Sequence, residues 1–374
     1  MLRAGATAIV LFTLGLSALS AQDEPREVTI AASGDILLHI KVVQAAEARG
    51  WGRVFGALRE LLPADAIAFA NLETPLVDDV RPVATGSPPI LGAPSEAAAG
   101  LAASGVDVLG CANNHAFDQR ATGLARTMAA LEEAGLVGVG ADPEPDAAFG
   151  HAVVERNGIR TAFLSYTERV NGGPGGRPPA AHVASLREEG RLEAALAAAR
   201  EDADLVVLAV HWSHDFVTRP RRGQRRRAHR WVELGADFIV GTGPHVLQEV
   251  ERVTSPRGDA VVAYSLGNLV SNQGKLYRPG RRASPRAHEA LRIPETRDGV
   301  ILLPRFALEG ERIVLRALAG RPLFTGNNHW DRVRDRETDF DIWIQALGSA
   351  DEAHQEARLP AIQAALGPAV ELTL

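Results

Sequence analysis

The chain has 374 residues, of which 46% are apolar and 23% charged, an ordinary balance for a globular protein with one large domain or two small ones. A net charge of −6 gives the whole molecule no attraction for nucleic acid. The single cysteine, Cys111, excludes an internal disulfide.

In chain order, the opening residues "MLRAGATAIVLFTLGLSALSAQDEP" carry one Arg, an uncharged apolar run, small residues and then acids. That is the layout of a secretory signal peptide, with Ala18 and Ser20 placed for cleavage before Ala21 and cleavage after Ala21 also open, and it predicts a secreted or periplasmic protein. An uncleaved N-terminal membrane anchor is the other reading, although the run is short for a spanning helix. The domain layout expected is a signal peptide over 1–21, one body over 22–326 and a helical extension over 327–374 packed on it. Only Lys41 and Lys275 are lysines, which reads as a compositional bias toward Arg.

Short runs rich in Val, Ile, Leu and Phe predict buried strands at "EVTIAAS", "AIAFANLE", "VDVLGCA", "DLVVLAVHW" and "DFIVGTG". Ala-rich helical patterns lie between them at 41–62, 95–104, 121–134, 185–201 and 222–235. This alternation predicts a layered α/β fold. Gly in "LAASGVDVL" and "WVELGADFIV" is placed to end a helix in the left-handed conformation. Asn157-Gly158, the stretch around Pro256 to Asp259, and Glu309-Gly310 each sit between apolar runs and predict hairpins. The sheets are therefore mixed. The Gly/Pro-rich stretch 171–180 and the long basic stretch 273–299 read as irregular loops.

The strand ends share a chemistry. The predicted strands end in or near Asp35 with His39 beyond it, Asn71 and Glu73, Asn114 and His115, His211 with His214 beyond it, and His245. In an open α/β sheet, sites form outside the carboxyl ends of the strands. Asp, Glu, Asn and His offer oxygen and nitrogen, the ligand set of Mn, Fe, Zn or Mg, and a bridged pair of such ions activates water against a phosphoryl group. Singly, each residue also fits a helix cap, a turn or a hydrogen-bonded core position. Repetition at five ends favours a common purpose. Cys111, on the apolar run before them, reads as a buried, inert thiol.

Taken together, "GDILLH", "NLETPL", "ANNHAFD", "HWSHDF", "GTGPHVLQ" and "YSLGN" resemble the motifs of the capsule synthesis protein CapA/PgsA family, which is associated with poly-γ-glutamate capsules and is similar to the calcineurin-like metallophosphoesterases. The matches run from about residue 28 to 270. The resemblance implies a sandwich of two mixed β-sheets flanked by helices, holding one or two divalent metal ions. It implies that Asp35 and His245 ligate a first metal, with His39 a further candidate, and that Glu73 bridges. Asn114 and His211 would serve a second metal, and His115 would act on the phosphoryl oxygens. Where the pattern reads His-Pro-His, this chain has Gly243-Pro244-His245, so one ligand of the second metal is missing. His214 is the nearest replacement in sequence. Trp212, Tyr264 and Asn268 lie near the same ends, where they either line a pocket or pack.

The basic run 218–230 reads as a solvated helix face or as a collar for an anionic polymer. Asn-Asn-His recurs in "TGNNHWD", 325–331, without a matching partner set, and reads as coincidence or as a pocket rim. Two functions follow. One is an exported metal-dependent hydrolase of phosphoester-like bonds in capsule or envelope polymer biosynthesis, working beside membrane-associated synthesis partners. The other is a non-catalytic subunit that holds an anionic polymer at a partly degenerate metal pocket.

Overall fold

The computed structural model describes residues 26–79, 88–144, 150–171, 182–336 and 338–374. The N-terminal apolar run and nearly all of the Gly/Pro-rich stretch at 171–180 lie outside the described residues. Alternation begins with β1 (Arg26–Ile36), α1 (Ile40–Arg49), α2 (Trp51–Phe55), α3 (Leu58–Leu61) and β2 (Ile67–Leu72). It continues through α4 (Glu96–Ala103), β3 (Val108–Gly110), α5 (Arg120–Glu133) and β4 (Val137–Val139). These four strands pair in parallel, so their carboxyl ends share one edge. The single helix expected over 41–62 is instead three short ones, because Gly50 at φ 81 turns the chain out of the first.

The second half carries β5 (Ala141–Asp142), β6 (Ala152–Arg156), β7 (Ile159–Thr167), β8 (His182–Val183), α6 (Glu189–Asp202) and β9 (Leu205–His211). It is completed by α7 (Arg222–Glu233), β10 (Phe238–Thr242), β11 (Val250–Ser255) and β12 (Gly258–Ala263). β7, β9, β10 and β12 run parallel, with β6 and β11 added antiparallel as hairpins; β5 and β8 form a separate ribbon. The expected turn at Asn157-Gly158 is present, with both residues at positive φ, 54 and 70.

Beyond these lie β13 (Asn268–Val270), the short α8 (Glu289–Arg292), β14 (Asp298–Glu309) and β15 (Arg312–Asn327). α9 (His329–Asp335), β16 (Ile342–Ala346), α10 (Glu352–Leu366) and β17 (Glu371–Leu372) follow. The strand order is β4-β3-β2-β1-β14-β15-β12-β10-β9-β7-β6. The halves meet in this ladder at a single register pair, Gly258 with Ile313. They fold over one another, so the two mixed layers flanked by helices that the resemblance implies are present, joined along one edge.

Alternation along each strand explains the layering. Val28, Ile30 and Ala32 on β1, Ile67 and Phe69 on β2, and Leu205, Val207 and Ala209 on β9 belong to the apolar interior between the layers. The intervening Ala31, Ala68, Ala70, Val206 and Leu208 face the helices. Strands buried on both faces read as continuous apolar runs. Phe69 of one layer stacks on Phe163 of the other, with ring centroids 6.1 Å apart. Among the described residues no helix is long and apolar enough to cross a membrane.

The stack of Phe69 on Phe163 holds the two layers in register. Phe163→Ala is expected to lower the unfolding free energy by about 3–5 kcal/mol in urea titrations; a loss below about 1 kcal/mol would contradict close packing at this point.

Candidate metal centre

Asp35 is aimed by a fault in its own strand. Between Ala32 and Asp35 the register of β1 against β2 shifts by one residue, a bulge that turns the strand end. A Cβ at Gly34 would lie 2.0 Å from the carbonyl oxygen of Gly267, so only glycine allows this approach. Asp35 Oδ1 accepts from Asn71 Nδ2 at 2.8 Å, and Oδ2 accepts from the Gly243 N–H at 3.0 Å. His245 Nδ1 lies 3.1 Å from Oδ2. Burial works against the Asp35 carboxylate, yet His245, His211 and the Gly243 N–H together hold its pKa below the ordinary value.

Glu73 follows the end of β2, its N–H bonded to the Ile36 carbonyl at 3.1 Å. Its side chain is fully buried, and neither carboxylate oxygen has a hydrogen-bond partner among the described residues. Three imidazoles surround it instead. Oε1 lies 3.5 Å from His211 Nε2, 3.8 Å from His245 Nε2 and 4.0 Å from His115 Nε2. Burial, then the charges of Asp35 and Asp215, push the Glu73 pKa well above the usual carboxylate range.

Each imidazole is held at its other nitrogen. His115 Nδ1 donates to Asp118 Oδ2 at 2.6 Å. His211 Nδ1 lies 3.1 Å from Thr242 Oγ1 and 3.2 Å from Asn71 Nδ2. His245 Nδ1 rests between Asp35 and Asn268 Oδ1, the latter at 3.2 Å. Such outer contacts fix ring orientation, as in the second layer of metal sites. Burial lowers the His211 pKa to about 4, so its ring is neutral near pH 7 and offers a lone pair. Burial disfavours the charged form of His245 as well, but the Asp35 hydrogen bond and charge reverse the net shift upward.

The adjacent carboxamides divide two tasks. Asn113 Nδ2 donates to the Leu72 carbonyl at 2.7 Å and its Oδ1 accepts from the His115 N–H at 3.1 Å, tying the ends of β2 and β3 together. Asn114 Oδ1 is buried without a hydrogen-bond partner among the described residues. Unpaired buried acceptors cost about 1–3 kcal/mol each, and native proteins retain few. Glu73 and Asn114 therefore present acceptor atoms that lack donors, while atoms of Asp35, Glu73 and His211 lie within 4.8 Å of one another. This donor set fits a divalent cation.

The remaining residues fall elsewhere. His39 occupies the N-cap position of α1, and its Nδ1 accepts from the Asn272 N–H at 3.3 Å. Burial and the charges of His115 and His245 lower its pKa to about 3. His214 is exposed at φ 82. Trp212 is buried and stacks on Trp231 at 5.7 Å, and Asn268 supports His245. Tyr264 is buried, and its hydroxyl donates to Glu251 at 3.3 Å. Cys111 is free and buried, its thiol pushed up to about 12. In the basic run, Arg225, Arg227 and Arg230 each pair with carboxylates of neighbouring elements. Asp118, Thr242 and Asp215 escaped the sequence reading. The spacing of Asp118 in "NNHAFD", three residues after His115, was the available signal.

Comparison with known proteins bears on this arrangement. The family described as bacterial capsule synthesis protein PGA_cap matches residues 29–273, a stretch that contains every residue of the centre. The chain belongs to that family. Among PGA_cap relatives, the capsule biosynthesis protein CapA of Bacillus anthracis is 30% identical over 256 residues, covering 67% of this chain and 61% of the relative. The PGA biosynthesis protein CapA of Bacillus subtilis (strain 168) is 29% identical over 251 residues, covering 64% and 62%. The match thus spans about three-fifths of the length of either relative. Among solved structures, the calcineurin-like phosphoesterase YfkN of Bacillus subtilis is similar at 10% identity and TM-score 0.42, over 91% of this chain and 98% of that one. The NAD nucleotidase of Haemophilus influenzae is similar at 11% identity and TM-score 0.44, over 93% and 57%.

Gly243 stands at φ 103, and a Cβ there would lie 2.2 Å from the Trp212 carbonyl oxygen. The missing histidine therefore cannot be restored by one substitution. Gly243→His is expected to lower the unfolding free energy by at least about 1–3 kcal/mol, read by chemical denaturation, and to bind no additional metal by elemental analysis. Glu73→Gln is expected to leave the chelator-treated protein as stable or more stable by thermal melting. The same substitution should weaken Mn²⁺ or Zn²⁺ binding by at least about tenfold.

Proposed function

We propose that this chain is an exported participant in the biosynthesis of poly-γ-glutamate or a related envelope polymer, with a metal-dependent hydrolase centre for phosphoester-like bonds. The observation that carries this reading is the buried Glu73 carboxylate, without a hydrogen-bond partner among the described residues and ringed by three imidazole nitrogens. A carboxylate so placed is costly unless a cation completes it. Asp35, Glu73, His211 and His245 would hold that ion, with Asn114 beside them. The chemistry such an ion supplies when bound is polarisation of a phosphoryl oxygen and acidification of water.

The chain's own residues supply the rest. Asp118 holds His115 through Nδ1 and leaves Nε2 on the Glu73 side of the centre. That geometry suits His115 to give a proton to a departing oxygen, with Asp118 stabilising the charged ring. Asn71 and the Gly243 N–H hold Asp35 in place, and His245, His211 and that N–H favour its ionised form. Export rests on the signal-like first residues, and the polymer on the names of the CapA relatives.

Gly243 favours a second reading, a subunit that binds an anionic polymer without turning it over, since a ligand position is replaced by a backbone N–H on Asp35. A single assay series separates the two. Metal-loaded protein is expected to hydrolyse a model phosphodiester, to lose activity on chelation and to regain it with Mn²⁺ or Zn²⁺. His115→Ala should lower kcat by about 10²–10⁴-fold with metal content unchanged, and Asp35→Asn should lower metal content itself. Metal-loaded protein that binds a γ-glutamate oligomer but turns over neither phosphomonoesters nor phosphodiesters would establish the second reading.

A further inference from the structure

A cavity of about 470 Å³ lies away from the metal centre, between the basic stretch after β13 and the elements from β15 to α10. Its volume is in the range of small-ligand sites, about 300–1,000 Å³. Tyr277, Phe324, Trp330 and Trp343 give it aromatic walls, and Arg297 lies in its lining. Trp330 is 38% exposed and Val333 61% exposed, large apolar side chains left open to solvent beside it.

Arg297 is the unusual member. It is only 5% exposed. Its Nε donates to the Thr325 carbonyl at 2.7 Å, and its guanidinium carbon sits 4.1 Å from the Phe324 ring centroid. Among the described residues no carboxylate pairs with it. The acids nearby are committed elsewhere. Asp298 accepts from Arg358 Nε at 3.2 Å, and Glu295 lies 3.4 Å from Arg358 Nη2. Asp331 lies 3.1 Å from Arg334 Nη2, and Asp351 caps α10 and lies 2.8 Å from His354 Nδ1. Burial lowers the Arg297 pKa to about 10, against the opposing charge of Asp298 and Asp351.

We propose that this cavity is a carboxylate-binding site, in which Arg297 receives one carboxylate and the indoles of Trp330 and Trp343 receive the carbon chain that bears it. A guanidinium fork matches a carboxylate in two parallel hydrogen bonds, and aromatic faces accept methylene groups. Arg278 and Arg334 also line the cavity, as do Asp331, which pairs with Arg334, and Asp351, which pairs with His354. A glutamyl side chain has this chemistry; assigning it to the polymer rests on the function proposed above. The site also has a physical link to the metal centre. Asn268, whose Oδ1 touches His245, donates from Nδ2 to the carbonyl of Thr296 at 2.8 Å, one residue before Arg297.

Calorimetry and tryptophan fluorescence on the full chain test the proposal, with glutarate, a γ-linked glutamate oligomer and inorganic phosphate as probes. Glutarate and the oligomer are expected to bind saturably and to perturb the fluorescence. Arg297→Gln should weaken both by about tenfold or more, the loss of a charge-assisted contact. Trp330→Ala, a change at the exposed rim that spares the core, should weaken them several-fold, and chelation should alter neither. Absence of glutarate binding, phosphate bound as tightly as glutarate, or full affinity in both variants would overturn the site. Glutarate bound through Arg297 with no binding of the oligomer would keep the site and overturn its link to the polymer. Oligomer binding indifferent to both variants would overturn the site and leave the polymer reading standing.

Discussion

A carboxylate buried without a hydrogen-bond donor is the constraint around which this molecule is organised. Glu73 gains nothing locally from its position: the residues beside it are three imidazoles and a second acid, Asp35. Such a cluster persists only if the surrounding structure over-determines it. The two layers do so. Parallel strands deliver Asp35, Glu73 and the Asn114-His115 pair from one layer, and His211 and His245 from the other.

Close backbone approach is the means by which the ends converge. Gly34 passes against the Gly267 carbonyl while Asp35 reaches the Gly243 N–H. The same economy of space explains the departure at Gly243. With the Trp212 carbonyl against its α-carbon, that position offers its N–H to Asp35 and has no room for a side chain. Side-chain ligation at one position is thereby exchanged for backbone support of another. Hydrolase and binding subunit differ on whether the remaining donors suffice for chemistry.

The segment beyond the motifs is not mere covering. β15 extends β14 and then carries β16 and β17, so the chain after residue 327 adds strands to the same ladder and α10 to the interior cluster. In doing so it encloses Arg297. The recurrence of Asn-Asn-His at 327–329 falls at this cavity: Asn327 and Trp330 line it.

Sequence alone determined the strand runs, the hairpin at Asn157-Gly158, the glycine-terminated helices and the polar residues at strand ends. These are local patterns: apolar periodicity, turn chemistry and the left-handed conformation of glycine act over a few neighbours and leave their mark in consecutive letters. Tertiary structure alone decided the rest. It set the bulge that aims Asp35, the pairing of the two layers at Gly258 and Ile313, and the burial that lifts Glu73 and lowers His211. It also placed Arg297 in the lining of the cavity with no carboxylate partner among the described residues. Each of these depends on which distant atoms share a desolvated space. The free energy of a buried charge is fixed by that company and not by its neighbours along the chain.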